Sequence, residues 1–337
     1  MKTVHMLGKE QIEVLDIPEP EPKDDLVVVK IMASGICGTE HTPYYGKSEL
    51  EINRGHEAAG IVWRTDKAKL VKEGDRVSLY PTMYYFCHKC RPCLSGDWYH
   101  CEHPMAHQRF PGTHSQYELI HEDCCLPIPD DIPFDTAAII DDCLGTPYRG
   151  IKKLGVNATD TVLITGVGPI GAAATIISKF FNARVIAVDI NNLRLEHLSQ
   201  YGVEHTINPL KDDVRKKVME ITKNKGVDVA IECSGMEEAQ VECLDTVKPL
   251  GRVVFLGIKS ESTAINVLRH FILKEITVIG SWASRPNEYP EIIEMIQLGL
   301  SARSLITHKF KIDDTSAAFK TFFSGKSVKV IINPWDQ

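Results

Sequence analysis

The 337-residue sequence has no apolar window approaching the roughly 18 residues that cross a bilayer. Its opening residues, Met1-Lys2-Thr3-Val4-His5, run into a strand-like pattern instead of an apolar signal core. A membrane partner is therefore not expected, and a cytoplasmic location is. Basic charge is not in excess either: 38 Lys and Arg stand against 45 Asp and Glu, a formal charge of -7, with no basic run. Nothing in that balance would neutralise a phosphate backbone, so nucleic acid is not an expected partner. Internal repeats and low-complexity linkers are also missing, which excludes solenoids and flexible arrays. What remains is an ordinary globular composition, 43% hydrophobic and 25% charged, in a chain long enough for two domains.

Two rhythms divide the chain. Runs such as 26–33 and 57–63 are short, β-like and closed by glycine or polar residues, and Gly74-Asp75-Arg76-Val77 fits a turn feeding another strand, so the first 120 residues read as β-rich. From about residue 145 the pattern becomes strand, glycine turn, helix, strand: 161–165, then 184–188, 226–232, a helical stretch over 236–247, and 251–257. That alternation predicts a doubly wound parallel sheet. A helix-like 289–298 and a strand-like 327–332 could extend this sheet or return to the first domain.

Ten cysteines in a reducing compartment point to metal ligation more than to disulfides. Cys87, Cys90, Cys93 and Cys101 form C-x2-C-x2-C-x7-C, four soft thiolates on a tight loop that suit tetrahedral zinc. Such a closed set leaves no position for substrate, so its expected role is structural; an iron–sulfur centre is the competing reading. A second set is scattered, with Cys37 in Ile36-Cys37-Gly38-Thr39-Glu40-His41 and His56 and Glu57 nineteen residues later: one thiolate, one imidazole and one carboxylate.

Gly166-Val167-Gly168-Pro169-Ile170-Gly171 matches the turn that lets backbone N–H groups and a helix N-terminus approach a pyrophosphate. Asp189 ends the next strand 18 residues after Gly171, where a carboxylate accepts from ribose hydroxyls and repels a 2′-phosphate, favouring NAD over NADP. Arg194, five residues on, is a candidate to stack on adenine or attract a phosphate, or is a solvated surface charge.

Across nearly its whole length the chain resembles the zinc-containing medium-chain dehydrogenases, most of all their polyol (sorbitol), threonine and butanediol branch. The resembling stretches are Gly35-Ile-Cys-Gly-Thr39, Gly55-His-Glu57, Gly74-Asp-Arg-Val77, the four-cysteine loop, Gly112-Thr-His-Ser-Gln-Tyr117, the 166–171 turn, Glu232-Cys-Ser-Gly235 and Gly325-Lys-Ser-Val-Lys-Val330. The resemblance implies an α/β fold with a β-rich GroES-like catalytic domain over 1–145 and 286–337 and a Rossmann NAD-binding domain over 146–285. It implies one catalytic and one structural Zn2+ per chain, the former on Cys37 and His56 with Glu57 as a direct or water-separated ligand, and Thr39 carrying the substrate proton away. Where the polyol branch has a glutamate near zinc, register against Gly145-Thr-Pro-Tyr148 selects Asp142 and leaves Cys143 one residue out. It also implies a homodimer or homotetramer pairing through residues 270–282.

Besides Asp142, this chain departs from the family pattern in three places. Glu40 stands where many relatives have aspartate, and His41, the candidate for the next step of proton exit, comes four residues after Cys37 instead of five. The usually apolar stretch before Gly55 reads Ile52-Asn53-Arg54. Zinc as a Lewis acid, with NAD as hydride acceptor, makes oxidation of a secondary hydroxyl on a small polar alcohol the expected reaction. Tyr44, Tyr45, Arg54, His114 and Trp282 are candidates to meet that substrate. A reductase working toward alcohol and a catalytically silent zinc-stabilised binding protein are the alternatives.

Overall fold

A computed structural model describes residues 1–46, 53–81, 84–106, 110–259 and 262–335, with Tyr84 and Ala106 described through their backbone alone. Ile52 lies outside the described residues. The chain forms two compact units: Met1–Asp142, Arg285–Pro290 and Ile306–Gln337 make the first, and Cys143–Ser284 with Glu291–Leu305 make the second. The tail is thus shared between them.

The β-branched strand Leu26–Gly35 is buried along most of its length because it has partners on both sides. It pairs antiparallel with Glu57–Arg64, with Tyr117–His121 and with the closing strand Lys329–Asn333. The full sheet runs Ile306–Lys311, Lys329–Asn333, Leu26–Gly35, Glu57–Arg64, Arg76–Leu79, Cys125–Pro127. The strand-like run near the end of the sequence therefore returns to the first unit. One core cluster joins Val27, Val29, Val77, Tyr80 and Phe86 to Cys90, Cys93 and Cys101; another joins Val4, Ile36, Tyr44, Phe319 and Val330.

The second unit is a six-stranded parallel sheet ordered His205–Ile207, Arg184–Val188, Thr161–Thr165, Val227–Glu232, Val247–Phe255, Thr277–Gly280. In chain order that is 3-2-1-4-5-6, the doubly wound dinucleotide-binding arrangement. Its central positions, Val162 to Ile164 and Val229 to Ile231, are fully buried, as a parallel sheet covered on both faces requires. The helix Pro169–Phe180 starts on a proline whose missing N–H is not needed in a first turn, and it buries every residue from Gly171 to Ser178. Among the described residues no helix is long and apolar enough to cross a membrane.

Candidate active site

Strand register assembles the scattered donors. Gly35 pairs with Glu57, so Cys37, just past one strand, faces His56 and Glu57 at the start of its neighbour. Asp142 arrives on the π-helical turn Ile140–Leu144, a wider winding often found at functional positions. One donor atom from each of Cys37, His56, Glu57 and Asp142 lies within 4.8 Å of the other three. Cys37 Sγ is 3.3 Å and His56 Nε2 3.4 Å from Asp142 Oδ2. His56 Nδ1 sits 2.9 Å from the Arg54 carbonyl, which can only accept, so Nδ1 carries a proton and Nε2 is turned to the cluster.

Glu57 is buried beside Lys329. Lys329 Nζ donates to Glu57 Oε1 at 2.5 Å and to the Ile36 carbonyl at 2.8 Å, while Glu57 Oε2 is buried without a hydrogen-bond partner among the described residues. An orphaned buried carboxylate oxygen is expensive unless a cation completes it. Gly35 leaves the room: a Cβ there would stand 2.9 Å from Glu57 Oε2 and 3.0 Å from Lys329 Cε. Burial pushes the Glu57 carboxyl up to about 7, against the pull of Lys329 and with help from Asp142. Burial, then the Asp142 charge, raises the Cys37 thiol. Burial alone would lower His56, but the charges of Cys37 and Asp142 outweigh it and hold the imidazole well above its ordinary value. Crowded buried anions give this pattern, and a divalent cation among them reverses it.

The four-cysteine loop is a separate cluster in the same unit. Its sulfurs lie within 4.8 Å of one another, with Cys87 and Cys93 3.9 Å apart and Cys90 and Cys101 4.0 Å apart. Backbone N–H groups of Lys89 and Cys90 pull the Cys87 thiol down to about 6, whereas burial pushes Cys93 up to about 12. Phe86, Trp98, Tyr99 and Tyr80 pack around it. Arg285 ties the loop to the returning tail, with Nε 2.7 Å from Asp97 and the guanidinium 5.4 Å over the Tyr99 ring.

In the second unit the glycine turn is closely packed. A Cβ on Gly171 would lie 1.9 Å from the Gly166 carbonyl, and one on Gly166, at φ +79°, would lie 2.7 Å from Ser234. Pro169 and Ile170 open the helix behind Gly168. Asp189 is buried, and its oxygens accept from Val167 N at 2.7 Å and Asn191 N at 2.8 Å. Each oxygen keeps a further lone pair. The Arg194 guanidinium lies over Gly168, 3.6 Å from where a Cβ would be, and its Nε is buried without a partner among the described residues.

Thr39 is exposed and donates to Cys37 Sγ at 3.3 Å. His41 is exposed too, but its ring packs on Tyr45 and Phe323, with centroids 4.6 and 5.7 Å away. Cys143 Sγ lies 3.6 Å from the Pro169 carbonyl and adds no atom to the donor cluster. Tyr45, Arg54 and Trp282 are exposed. The expectation that His114 and Tyr44 meet substrate is corrected: His114 is 0% exposed between Glu40 and Ser34, and Tyr44 is buried against Phe319 and Phe323. Sequence reading passed over Lys329. Its signal was a lone lysine inside the apolar run 327–332, a buried charge that needs a partner.

Comparison with known proteins agrees with this geometry. Residues 23–130 match the alcohol dehydrogenase GroES-like domain, and residues 169–298 match the zinc-binding dehydrogenase family. The chain is 29% identical to a sorbitol dehydrogenase of Halalkalibacterium halodurans, covering 100% of this chain and 99% of that one. It is 31% identical to an L-threonine 3-dehydrogenase of Chromobacterium violaceum, covering 96% of each. A zinc-binding dehydrogenase of Sinorhizobium meliloti 1021, solved bound to NADP, superposes with a TM-score of 0.86 at 25% identity over 99% of both chains. Donor clusters, sheet order and full-length similarity agree: the chain belongs to the zinc-dependent medium-chain dehydrogenase family, in its polyol and threonine branch, and is an alcohol dehydrogenase.

Proposed function

We propose that this enzyme transfers hydride between NAD(H) and a secondary alcohol or ketone of a polyol, sugar, cyclitol or amino alcohol. The observation that carries the reading is the set of one thiol, one imidazole and two carboxyls within 4.8 Å, whose mixed hardness and charge suit a reactive zinc. Cys37, His56 and Asp142 are its proposed ligands. Glu57, held from behind by Lys329, is a conditional one. The four cysteines would hold a second, structural zinc. Bound at the first set, zinc supplies Lewis acidity that brings an alcohol's pKa toward neutrality. Nicotinamide supplies the hydride-accepting carbon.

The chain's own residues do the rest. The Arg54 carbonyl keeps His56 in the tautomer a metal needs. The exposed Thr39 hydroxyl beside Cys37 takes the alcohol's proton and hands it to water, since a hydroxyl both accepts and donates. His41, turned onto Tyr45, stands aside from that exit. Asp189 favours NAD by repelling a 2′-phosphate, and Arg194 over Gly168 adds positive charge to the turn. The Sinorhizobium protein was solved with NADP, so these local charges, not family membership, decide the cofactor.

The protein is further read as a cytoplasmic homodimer or homotetramer. Thr277–Gly280 is an edge strand of the parallel sheet, and Leu268, Ile272, Leu273 and Trp282 are exposed near it in sequence. Metal analysis and a panel of polyols, cyclitols, sugars and amino alcohols, assayed with NAD and NADP, test the whole reading. Two zinc per chain and NAD-linked turnover of a member of the panel are expected. No hydride transfer by zinc-replete protein that still binds NADH would replace it with a silent binding protein.

A further inference from the structure

Beneath the donors Cys37, His56 and Glu57 lies a buried polar hub that the reaction itself does not use. Its centre is His114, with Glu40 on one side and Ser34 on the other, and all three are at most 1% exposed. His114 Nε2 meets Glu40 Oε2 at 2.8 Å, and Glu40 Oε1 accepts the backbone N–H of Cys37 at 3.0 Å. On the far side His114 Nδ1 lies 2.8 Å from Ser34 Oγ, which is 3.3 Å from the backbone carbonyl of Glu57 and 2.9 Å from Thr113 Oγ1.

The residue before His56 rests on the same hub. A Cβ at Gly55 would stand 2.8 Å from His114 Cγ and 2.5 Å from Thr113 Oγ1, so only glycine lets the backbone come this close. Thr113 N donates to the Gly55 carbonyl at 3.1 Å. Asn53 Oδ1 closes the circuit, accepting from Gly55 N at 3.1 Å and His114 N at 3.2 Å. Three donors on two separate stretches of chain are thus referred to one imidazole. A buried histidine–carboxylate pair adds little stability over an apolar pair of the same volume, but its directional bonds fix where backbone atoms sit.

We propose that His114 and Glu40 are positioning residues for the metal centre: they set the spacing of Cys37, His56 and Glu57 without touching metal or substrate. This rests on the reading that those residues hold zinc. The test compares the holoenzyme with His114→Leu and Glu40→Gln by three measurements: chelator competition for each metal, the thiolate-to-cobalt absorption of cobalt-substituted protein, and the thermal midpoint. His114→Leu should lose about 10- to 100-fold in affinity at the Cys37 site, the usual range for a ligand's supporting partner, with a shifted cobalt band and the four-cysteine metal retained. Glu40→Gln keeps an acceptor for Cys37 N and a hydrogen-bonding group for His114, and should stay within about threefold of wild type by the same measure. A lowered midpoint in His114→Leu with unchanged metal affinity and cobalt spectrum would overturn the proposal. If that variant does not fold, Ser34→Ala, which removes the hydroxyl joining His114 to the Glu57 carbonyl and leaves Glu40 and His114 in place, should weaken the same metal several-fold, and unchanged affinity there overturns the proposal equally. Wild-type protein that holds metal at the four cysteines alone would overturn the zinc reading of Cys37, and this inference with it.

Discussion

The four-cysteine loop takes its donors from fifteen consecutive residues and walls them with aromatic rings, whereas the Cys37 cluster takes three donor types from three distant segments. In the first, chemistry and fold would be one local event: four like ligands closing around an ion leave no position for anything else. In the second, unlike ligands converge only because a strand pair, a π-helical turn and a terminal strand are all in place, and Glu57 Oε2 still lacks a partner among the described residues. Uniform, local ligation suits a staple. Mixed, long-range ligation with a spare donor suits a site that must change its coordination during turnover.

The largest expected effect comes from breaking the staple. Cys90→Ser should lower the thermal midpoint by about 10 °C or more, since several kcal/mol of metal-linked folding energy disappear from a unit of this size. Chain that does fold should keep its other zinc; differential scanning calorimetry with metal analysis decides, and a normal midpoint with lost turnover would invert the two roles. Next comes Asp142→Asn, expected to lower kcat/KM by about 100-fold, the scale of a misplaced reacting group, while the metal content falls from two per chain toward one and the midpoint barely moves. Cys143→Ser should change neither.

A smaller effect distinguishes the clusters by pH. In metal-free protein the Glu57 and Asp141 carboxyls are each raised to about 7, chiefly by burial, and His56 is raised as well. Raised groups in the folded state hold protons that the unfolded chain has released, so their stabilisation is complete at low pH and is lost as pH climbs through 7. The metal-free midpoint should therefore fall between pH 5 and 8. Zinc displaces the protons of Glu57 and His56, so the zinc-loaded protein should gain relative to the metal-free form over the same interval. Parallel melting curves would refute an ion among Cys37, His56 and Glu57. Smallest, and touching neither metal, is Asp189→Asn, which keeps an acceptor for Val167 N and removes the charge. It should narrow the preference for NAD over NADP by about tenfold in kcat/KM, the size of one nearby like charge.

Much of this was legible in the sequence wherever the signal is local. The cysteine loop and the glycine turn are spacings, and the structure adds the reason for the glycines, which is backbone contact with Gly166 and Ser234. Cys37, His56 and Glu57 could be named as residues but not as neighbours, because their proximity depends on the Gly35–Glu57 pairing. Asp142 needed family register, since nothing in Ile139-Ile-Asp-Asp-Cys-Leu144 announces a π-helical turn or says which aspartate it turns inward. His114 misled: a histidine in a Gly-Thr-His-Ser loop has no periodicity that reveals burial, and only pairing of Tyr117–His121 onto Leu26–Gly35 puts it beneath the donors. Lys329 was invisible as a partner because 272 residues separate it from Glu57.

That separation also has a meaning in time. Cys37, His56, Glu57 and Asp142 all leave the ribosome before the second unit begins at Cys143, whereas Lys329 and the two strands that complete the first unit's sheet come after it. At the roughly 5 to 20 residues per second of protein synthesis, Glu57 waits on the order of 15 to 55 s for its cation. The four cysteines are all present once Cys101 has been made. A structural metal at the four cysteines, as proposed, could thus be taken up during synthesis, whereas the Glu57–Lys329 pair behind the other donor cluster forms only once the last strand has closed.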